Sequence, residues 1–131
     1  MREQELGRRL VECKHYEWMA GMLIRDSLGE PYRIKWVNGD CLECDEDDQL
    51  RYPYTGLIPD ITDPATVGCV LHLARKAYDF PGLYVVYDHH ALAWLVWGLP
   101  GVAHPARAKF GLVGRGRTEA EALVVALEAA P

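Results

Sequence analysis

Segments with the periodicity of a helix alternate along this chain with segments typical of strands, and that alternation limits the fold more than any other feature. Apolar residues recur at helical spacing in residues 3–13 and again in residues 62–78. A third helix is predicted after Thr118, because this residue can form a capping box with Glu121. The intervals between these helices contain short apolar segments bounded by turn residues, which indicate strands.

The first interval indicates an antiparallel meander of three strands. MLIRD and YRIKWV are separated by a turn, and Asn38-Gly39 then predicts a hairpin in which DCLECD returns. We interpret the following segment, DDQLRYPYTGLIPD, as a loop because prolines interrupt it.

The second interval contains two predicted strands, LYVVYD and LAWLVWG, joined around DHHA, and a further short strand is predicted at KFGLV. The order of elements is therefore helix, three strands, helix, two or three strands, helix. This order predicts an α+β fold in which three helices pack on one face of an antiparallel sheet of about five to six strands.

Composition limits the class of protein. The 131 residues have a formal net charge of -5 and 50% are hydrophobic, which is typical of one soluble globular domain over residues 1–131. The acidic balance argues against general nucleic-acid binding, which favours a basic face. The N-terminus lacks the apolar core of a secretory signal, and the apolar stretch ALAWLVWGLPGVA is too short to span a membrane. We therefore expect an intracellular protein with reduced thiols.

Cys41 and Cys44 form a C-x-x-C pair in an acidic stretch of the chain. If Asn38-Gly39 is a two-residue turn, Trp36 faces Cys41 and Arg33 faces Cys44 across the hairpin. Side chains alternate along a strand, so two cysteines three residues apart point to opposite faces. We predict that these thiols neither chelate one ion nor bond to each other.

No metal ion or cofactor is predicted. A structural zinc site takes four ligands, and Cys13-x-His15, which could supply the other two, does not have the spacing of a usual knuckle. Cys69 and His72 are spaced for shared ligation on a helix, but we expect both to be buried against the sheet. The acidic run at residues 45–48 is interpreted as a solvated hairpin end, or alternatively as a surface that imitates nucleic-acid phosphates.

The best candidate ligand site is the segment ARAKFGLVGRGRT, interpreted as a glycine-rich basic loop. Four basic residues gather there before the third helix: Arg107, Lys109, Arg115 and Arg117. Gly114 and Gly116 would let backbone amides approach a ligand, and the helix start adds a positive end. These features favour a phosphate or another anion, with a solvent-facing linker as the alternative.

The DHHA turn offers a second set of polar residues. Asp88, His89 and His90 form a polar turn, and loop histidines such as His89 and His90 can also meet a ligand. An acid/base or metal cluster that includes His104 is the alternative.

The strand ALAWLVWG is apolar on both faces, although an antiparallel strand in a small domain usually has one polar face. An exposed patch with two tryptophans is unusual for a monomer. We therefore predict a homo-oligomer, most simply a twofold dimer, with Leu92, Trp94 and Trp97 at the interface.

WMAGM, LIPDITDPATVGC and TEAEALVVALEAA together resemble a group of small, mostly uncharacterised proteins of tailed-phage genomes and prophages. The resemblance implies a phage accessory protein made in the host bacterial cytoplasm, and it carries no assigned activity. We expect a non-enzymatic protein with a counter-defence role, which sequesters a phosphate-bearing nucleotide signal or blocks a host protein. The alternative is a small nucleotide-processing or metal-dependent hydrolase that uses Asp88, His89, His90 and His104.

Overall fold

The computed structural model describes residues 2–39, 41–44, 50–53, 56–98 and 111–131. Over these residues the fold is α+β with three helices, as predicted, but the strands form two antiparallel sheets where one was expected. The chain divides into two compact units. Unit 1 comprises Met1–Val11 and Glu17–Cys69, and unit 2 comprises Glu12–Tyr16 and Val70–Pro131.

Unit 1 is built on α1 (Arg2–Glu12), apart from the last residue of that helix, and on a five-stranded antiparallel sheet. The strands lie in the order β4-β3-β2-β1-β5. Their bounds are β1 (Leu23–Arg25), β2 (Pro31–Asn38), β3 (Cys41–Cys44), β4 (Leu50–Pro53) and β5 (Ile58–Pro59).

The segment interpreted as a loop contains β4 and β5, so that interpretation is wrong in part. Both strands lie at an edge of the sheet, and Pro53 and Pro59 occupy their last positions. An edge strand tolerates proline because only one of its sides must supply ladder hydrogen bonds. These two strands also raise the number of strands above the predicted value.

The hairpin between β2 and β3 forms, but in a different register from the predicted one. Asn38 pairs with Cys41, Val37 with Leu42 and Trp36 with Glu43, and after an irregularity Ile34 pairs with Cys44. The predicted pairs of Trp36 with Cys41 and Arg33 with Cys44 are therefore wrong. The turn begins one residue later because Gly39, at φ +54°, takes its first position while Asn38 stays in the strand.

Helix α2 (Pro64–Ala77) presents one buried side, formed by Thr66, Val70, Leu73 and Ala74. At 100° per residue, Gly68 and His72 lie on the opposite side of the helix, and both are exposed. The predicted burial of His72 is therefore wrong. Gly68 has no close-packing role, because a Cβ added there would meet nothing within 4 Å.

Unit 2 contains a three-stranded antiparallel sheet in the order β6-β7-β8, with α3 (Glu119–Glu128) packed on it. The strands are β6 (Tyr84–Asp88), β7 (Ala93–Gly98) and β8 (Gly111–Gly116). The predicted cap of α3 is confirmed, because the Thr118 hydroxyl accepts a hydrogen bond from the Glu121 amide at 3.1 Å. No helix in the described ranges has the length and apolar character needed to cross a membrane.

Candidate functional site

The three-stranded sheet of unit 2 has two faces, which cross-strand pairing identifies residue by residue. Trp94 pairs with Tyr87 and Gly116, and Val96 pairs with Val85 and Gly114. These rows form the helix face, because a Cβ on either glycine would run into α3. The side chains between them point the other way, onto what we call the outer face.

The glycines of the predicted basic loop lie in β8 and have a packing role. A Cβ at Gly114 would stand 2.8 Å from the Ala126 Cβ, and one at Gly116 would stand 2.8 Å from Glu121 Cβ. Both distances are shorter than side-chain carbons tolerate, so α3 can approach β8 only because both residues lack a side chain. The interpretation as a loop whose amides face a ligand is therefore wrong for residues 114–116, whereas the short strand predicted at KFGLV is confirmed over residues 111–113.

The outer face is apolar over much of its area. One row joins Tyr84, Trp97 and Leu112, and the next joins Val86, Leu95 and Arg115. The exposed fraction is 46% for Tyr84, 41% for Val86 and 49% for Leu112. Tyr84 and Val86 are neighbours at the β6 edge and Leu112 lies at the β8 edge, while Trp97 between them is half-buried and Leu95 is buried. We call the exposed residues, with Trp97, the apolar patch of the outer face.

The turn between β6 and β7 is held by Asp88. Its Oδ1 accepts hydrogen bonds from the amides of His90, at 2.8 Å, and Ala91, at 3.2 Å. The Ala91 and His90 amide bonds hold the pKa of the Asp88 carboxyl below its usual value. The prediction of a polar turn is confirmed, with the carboxylate engaged in forming it.

Leu92 closes the same turn in an unusual conformation. Its φ is +51°, in the left-handed region that leucine rarely adopts, and its side chain is 74% exposed. Because the side chain is exposed, no burial of apolar surface offsets the backbone strain of Leu92.

The end of β8 meets this turn. Arg115 Nη2 lies 3.4 Å from the Ala91 carbonyl oxygen, so the structure brings together two sets of residues that are far apart in sequence. Tyr87 is edge-on to His89, with ring centroids 5.0 Å apart, and edge-on to Trp94 at 5.5 Å. We call Tyr87, His89, Trp94 and Arg115 the turn cluster.

The other predicted ligand residues have different positions. His90 is exposed in the turn, and Arg117 is exposed one residue beyond β8. Arg107 and Lys109, like His104, lie outside the described residues. The start of α3 offers little to an anion, because Thr118 already caps an amide there and Glu119 and Glu121 add negative charge to the first turn.

The three residues predicted at an oligomer interface do not share one surface. Trp94 lies on the helix face and Trp97 on the outer face, while Leu92 belongs to the turn. The outer face therefore offers Trp97 as an interface residue with Tyr84 and Leu112, whereas Trp94 belongs to the turn cluster.

In unit 1 the PDITDPATVGC segment forms a structural network that the sequence did not reveal. Arg33 donates to both carboxylate oxygens of Asp63, at 2.5 and 3.0 Å. Asp63 Oδ2 also accepts from the amide of Thr66 at 2.9 Å, which caps the start of α2. The Thr66 hydroxyl donates to Asp63 Oδ2 and accepts from the Leu23 amide of β1, at 2.9 Å.

Asp60 forms a second part of the same network. Its carboxylate accepts from the amide and hydroxyl of Thr62 and from Arg25 Nε, which lies 3.0 Å away. Burial raises the pKa of Asp60, but these hydrogen bonds outweigh it and leave the pKa lowered. The hydrogen bond from Arg33 is the main reason that the pKa of Asp63 is lowered. The pattern Asp63-Pro64 before a helix predicts the helix cap, but it does not predict that arginines bind Asp60 and Asp63.

The thiols have no shared site in the described ranges. Cys44 is fully buried beside Leu42, whereas Cys41 is half-buried on the other side of β3, so the prediction of opposite faces is confirmed. Cys69 Sγ lies 3.9 Å from the Ala20 carbonyl oxygen, and burial raises the pKa of this thiol. Among the described residues, no group of three or more His, Cys, Asp or Glu side chains could hold a metal ion. The acidic run at 45–48 lies outside those residues.

Comparison of this chain with known protein families, curated proteins and solved structures finds no match.

Proposed function

We propose that this chain is a non-enzymatic phage accessory protein with a counter-defence role, which binds a phosphate-bearing nucleotide signal in the host cytoplasm. The phage origin rests on the sequence resemblance. The binding role rests on the turn cluster, where Arg115 reaches Ala91 and aromatic rings gather around Tyr87. The observation that carries the proposal is that Arg115, from the outer face, reaches the same turn that Tyr87 and Trp94 flank on the helix face.

The arginines provide the means to hold a phosphate. A guanidinium has five N–H donors in a planar fork, and the contact of Arg115 with Ala91 uses one of them. The remaining donors of Arg115, together with exposed Arg117, suit the bidentate geometry that phosphate oxygens accept. Two arginines close to one turn therefore favour a compact anion.

The aromatic rings provide the means to hold a base. Tyr87 is 36% exposed, Trp94 is half-buried and His89 is exposed beside Tyr87. Stacking of a nucleobase on an aromatic side chain contributes about 1–3 kcal/mol and tolerates different bases. A ligand that carries both a phosphate and a base uses both halves of the cluster.

Binding without turnover is favoured over hydrolysis by the state of Asp88. Its Oδ1 accepts two backbone amides, and these hold the pKa of the carboxyl low. A general base works best when its pKa lies near the operating pH, so a carboxylate with a lowered pKa is a weak one. Asp88 therefore stabilises the turn and is poorly suited to act as a general base.

Isothermal titration calorimetry with a panel of linear and cyclic nucleotides tests the proposal. We expect saturable binding of at least one nucleotide, and recovery of the intact ligand by thin-layer chromatography. Arg115→Glu with Arg117→Glu should weaken that binding by about 100-fold or more, since each charge-assisted hydrogen bond contributes about 1.5–3 kcal/mol.

The matched control is Arg8→Glu with Lys14→Glu, which makes the same change in net charge at exposed positions outside the cluster. This pair should leave the affinity within about twofold, because neither side chain belongs to the turn cluster and an exposed charge that does not contact the ligand is largely screened by salt. Equal weakening by both pairs would mean that the effect is one of net charge. Turnover of the nucleotide would replace sequestration with the hydrolase alternative.

Leu92 favours a second candidate, the blocking of a host protein. An exposed leucine in a strained turn suits an apolar anchor that a partner would bury. Leu92→Asp should then abolish recovery of a host protein from lysate, whereas Leu28→Asp, at another exposed leucine of a turn, should not. Equal recovery by both variants would remove this candidate.

We further propose that the protein acts as a homodimer. The apolar patch of the outer face supports this part of the proposal, since exposed apolar patches mark association surfaces.

A further inference from the structure

We propose that the outer face of the three-stranded sheet is a twofold interface, in which Asp88 of one copy lies against Arg115 and Arg117 of the other. The proposal deepens the homodimer part of the proposed function and does not depend on the nucleotide. It commits the outer face to one occupant, a second copy of this chain, because the charges on that face complement themselves.

The outer face combines an apolar end with two charged corners. The row of Tyr84, Trp97 and Leu112 lies at the end of the sheet far from the turn. At the turn end, the side chain of Asp88 belongs to the β6 edge, and that of Arg115 belongs to the β8 edge. The backbone positions of the two charged residues therefore lie on opposite edges at the same end, and the guanidinium of Arg115 reaches inward to Ala91 of the turn.

Two arrangements place the outer faces of two copies together with their strands aligned. With the twofold axis perpendicular to the strands, the charged end of each copy lies on the apolar end of the other, which buries charges against Tyr84 and Leu112. With the axis parallel to the strands, β6 of one copy lies over β8 of the other and like ends meet. The second arrangement is favoured because burying an unpaired charge is costly.

The parallel arrangement also pairs the apolar residues. Trp97 lies on the central strand β7 and so meets its own copy at the axis, while Tyr84 of one chain lies over Leu112 of the other. Aligned sheets pack about 10 Å apart with interdigitated side chains, which suits these large residues. The interface is isologous, as a closed dimer requires.

The contact leaves the arginines usable for a ligand. At each of the two charged corners, both at the turn end of the interface, two guanidiniums, from Arg115 and Arg117, face one carboxylate, from Asp88. One positive charge remains uncompensated there, so a phosphate and the second copy can occupy the same corner.

Light scattering after size-exclusion chromatography gives the first test. The native protein at micromolar concentration should have about twice the mass of one chain. Leu112→Lys should shift it to the mass of one chain, whereas Leu28→Lys, at a leucine that is more exposed but lies in unit 1, should not. A native protein with the mass of one chain would overturn the proposal, and so would a Leu112→Lys dimer.

A charge exchange tests the orientation. Asp88→Lys puts three positive charges at each corner, and Arg115→Glu with Arg117→Glu puts three negative charges there, so each variant alone should lose the dimer. An equimolar mixture should recover it as a heterodimer, detected by native mass spectrometry, because each lysine then faces two glutamates and each aspartate faces two arginines. Homodimers of either variant, or a mixture that stays monomeric, would contradict the strand-parallel axis.

Asp88→Asn guards against loss of the turn, since the amide oxygen of asparagine can still accept from His90 and Ala91. This variant should fold by circular dichroism and weaken the dimer about tenfold, and an unchanged dissociation constant would remove Asp88 from the interface. The nucleotide is tested apart from the dimer: Leu112→Lys should lose the dimer and keep nucleotide binding. A native protein that forms the dimer but binds no nucleotide would refute the nucleotide proposal without contradicting the dimer interface.

Discussion

Two contacts between a helix and a strand, one in each unit, use different chemistry. In unit 1 the start of α2 is tied to β1 and β2 by polar side chains, through Arg33, Asp63 and Thr66. In unit 2 α3 lies directly on β8 because Gly114 and Gly116 carry no side chain. In the first contact the charged side chains bind each other and the backbone, whereas the second contact leaves Arg115 and Arg117 exposed at the surface.

This difference shows which charges are available for function. The carboxylate of Asp63 accepts from Arg33 and from Thr66, and its lowered pKa reflects those bonds. Arg115 makes one long contact with a carbonyl oxygen. Residue types alone would have ranked Arg33 and Arg115 equally. Their partners assign Arg33 to structure and leave Arg115 exposed, as the proposed ligand role requires.

The contact between the glycines of β8 and α3 tolerates substitution less well than the polar contact in unit 1. The largest effect on stability is therefore expected there. Gly114→Ala should lower the free energy of unfolding by about 3 kcal/mol, because the new Cβ would overlap Ala126 and the backbone cannot move aside cheaply. Gly68→Ala is the matched control, since this helical glycine is exposed and faces open space. It should stabilise the protein by about 0.5–1 kcal/mol. Urea denaturation of both variants would show whether the loss of stability comes from the close contact of Gly114 with α3 or from the replacement of any glycine by alanine.

The polar contact should respond less strongly. Thr66→Val keeps the shape of the side chain but leaves the Leu23 amide without its acceptor, which should cost about 2 kcal/mol. Thr66→Ser retains the hydroxyl and should recover most of that loss. Hydrogen exchange of the amides in β1 reports the contact directly. Equal protection in the two variants would show that packing, rather than the hydroxyl, holds the strand.

A smaller effect is expected from the charge of Asp63. Its pKa is lowered in the folded protein, so its contribution is present above the unfolded value of about 3.9 and is lost as the pH falls through the folded value. Asp63→Asn should therefore destabilise the protein by about 1 kcal/mol at pH 7, since Arg33 is half exposed and asparagine still caps a helix. The difference between the two proteins should shrink as the pH falls from 5 to 2. A difference that stays constant over this range would exclude the ion pair as its cause.

The smallest effect belongs to the turn. Leu92→Asn should raise the free energy of unfolding by about 0.5 kcal/mol, because asparagine adopts positive φ more readily and the exposed leucine side chain loses little packing. Leu28→Asn, at an exposed leucine with ordinary backbone angles, provides the comparison. Destabilisation by Leu92→Asn but not by Leu28→Asn would mean that Leu92 is covered in solution, as an anchor to a partner would be.

The helices were predictable because their signals are local. The apolar spacing of α1, the Asp63-Pro64 start of α2 and the capping box of α3 each lie within a few residues of the element that they define. The strands β4 and β5 were missed because pairing with β3 and β1 decides them, and proline discouraged that interpretation. The register of the hairpin depended on which residue takes positive φ, and both Asn38 and Gly39 are able to.

The candidate site was predicted only in its parts. The basic residues and the histidine turn were both visible in the sequence, but their meeting at Ala91 depends on the pairing of β7 with β8. The glycines between the arginines were assigned to ligand approach because no local signal shows that α3 folds back onto them. Spacing of Gly114 and Gly116 by two residues places both on one face of a strand, and that is the signal that could have revealed a packed helix.

The prolines at the two edges of the five-stranded sheet bear on the behaviour of this protein at high concentration. An exposed edge strand offers unpaired backbone groups to any other chain, which is a common route to aggregation. Pro53 in β4 and Pro59 in β5 each remove an amide donor at the outermost strands. At the β4 edge a foreign strand would find that donor missing, whereas the β5 edge is covered, because Pro59 is buried and its carbonyl oxygen lies beside Gly7 of α1. Replacing Pro53 should therefore leave a folded chain that forms fibres more readily.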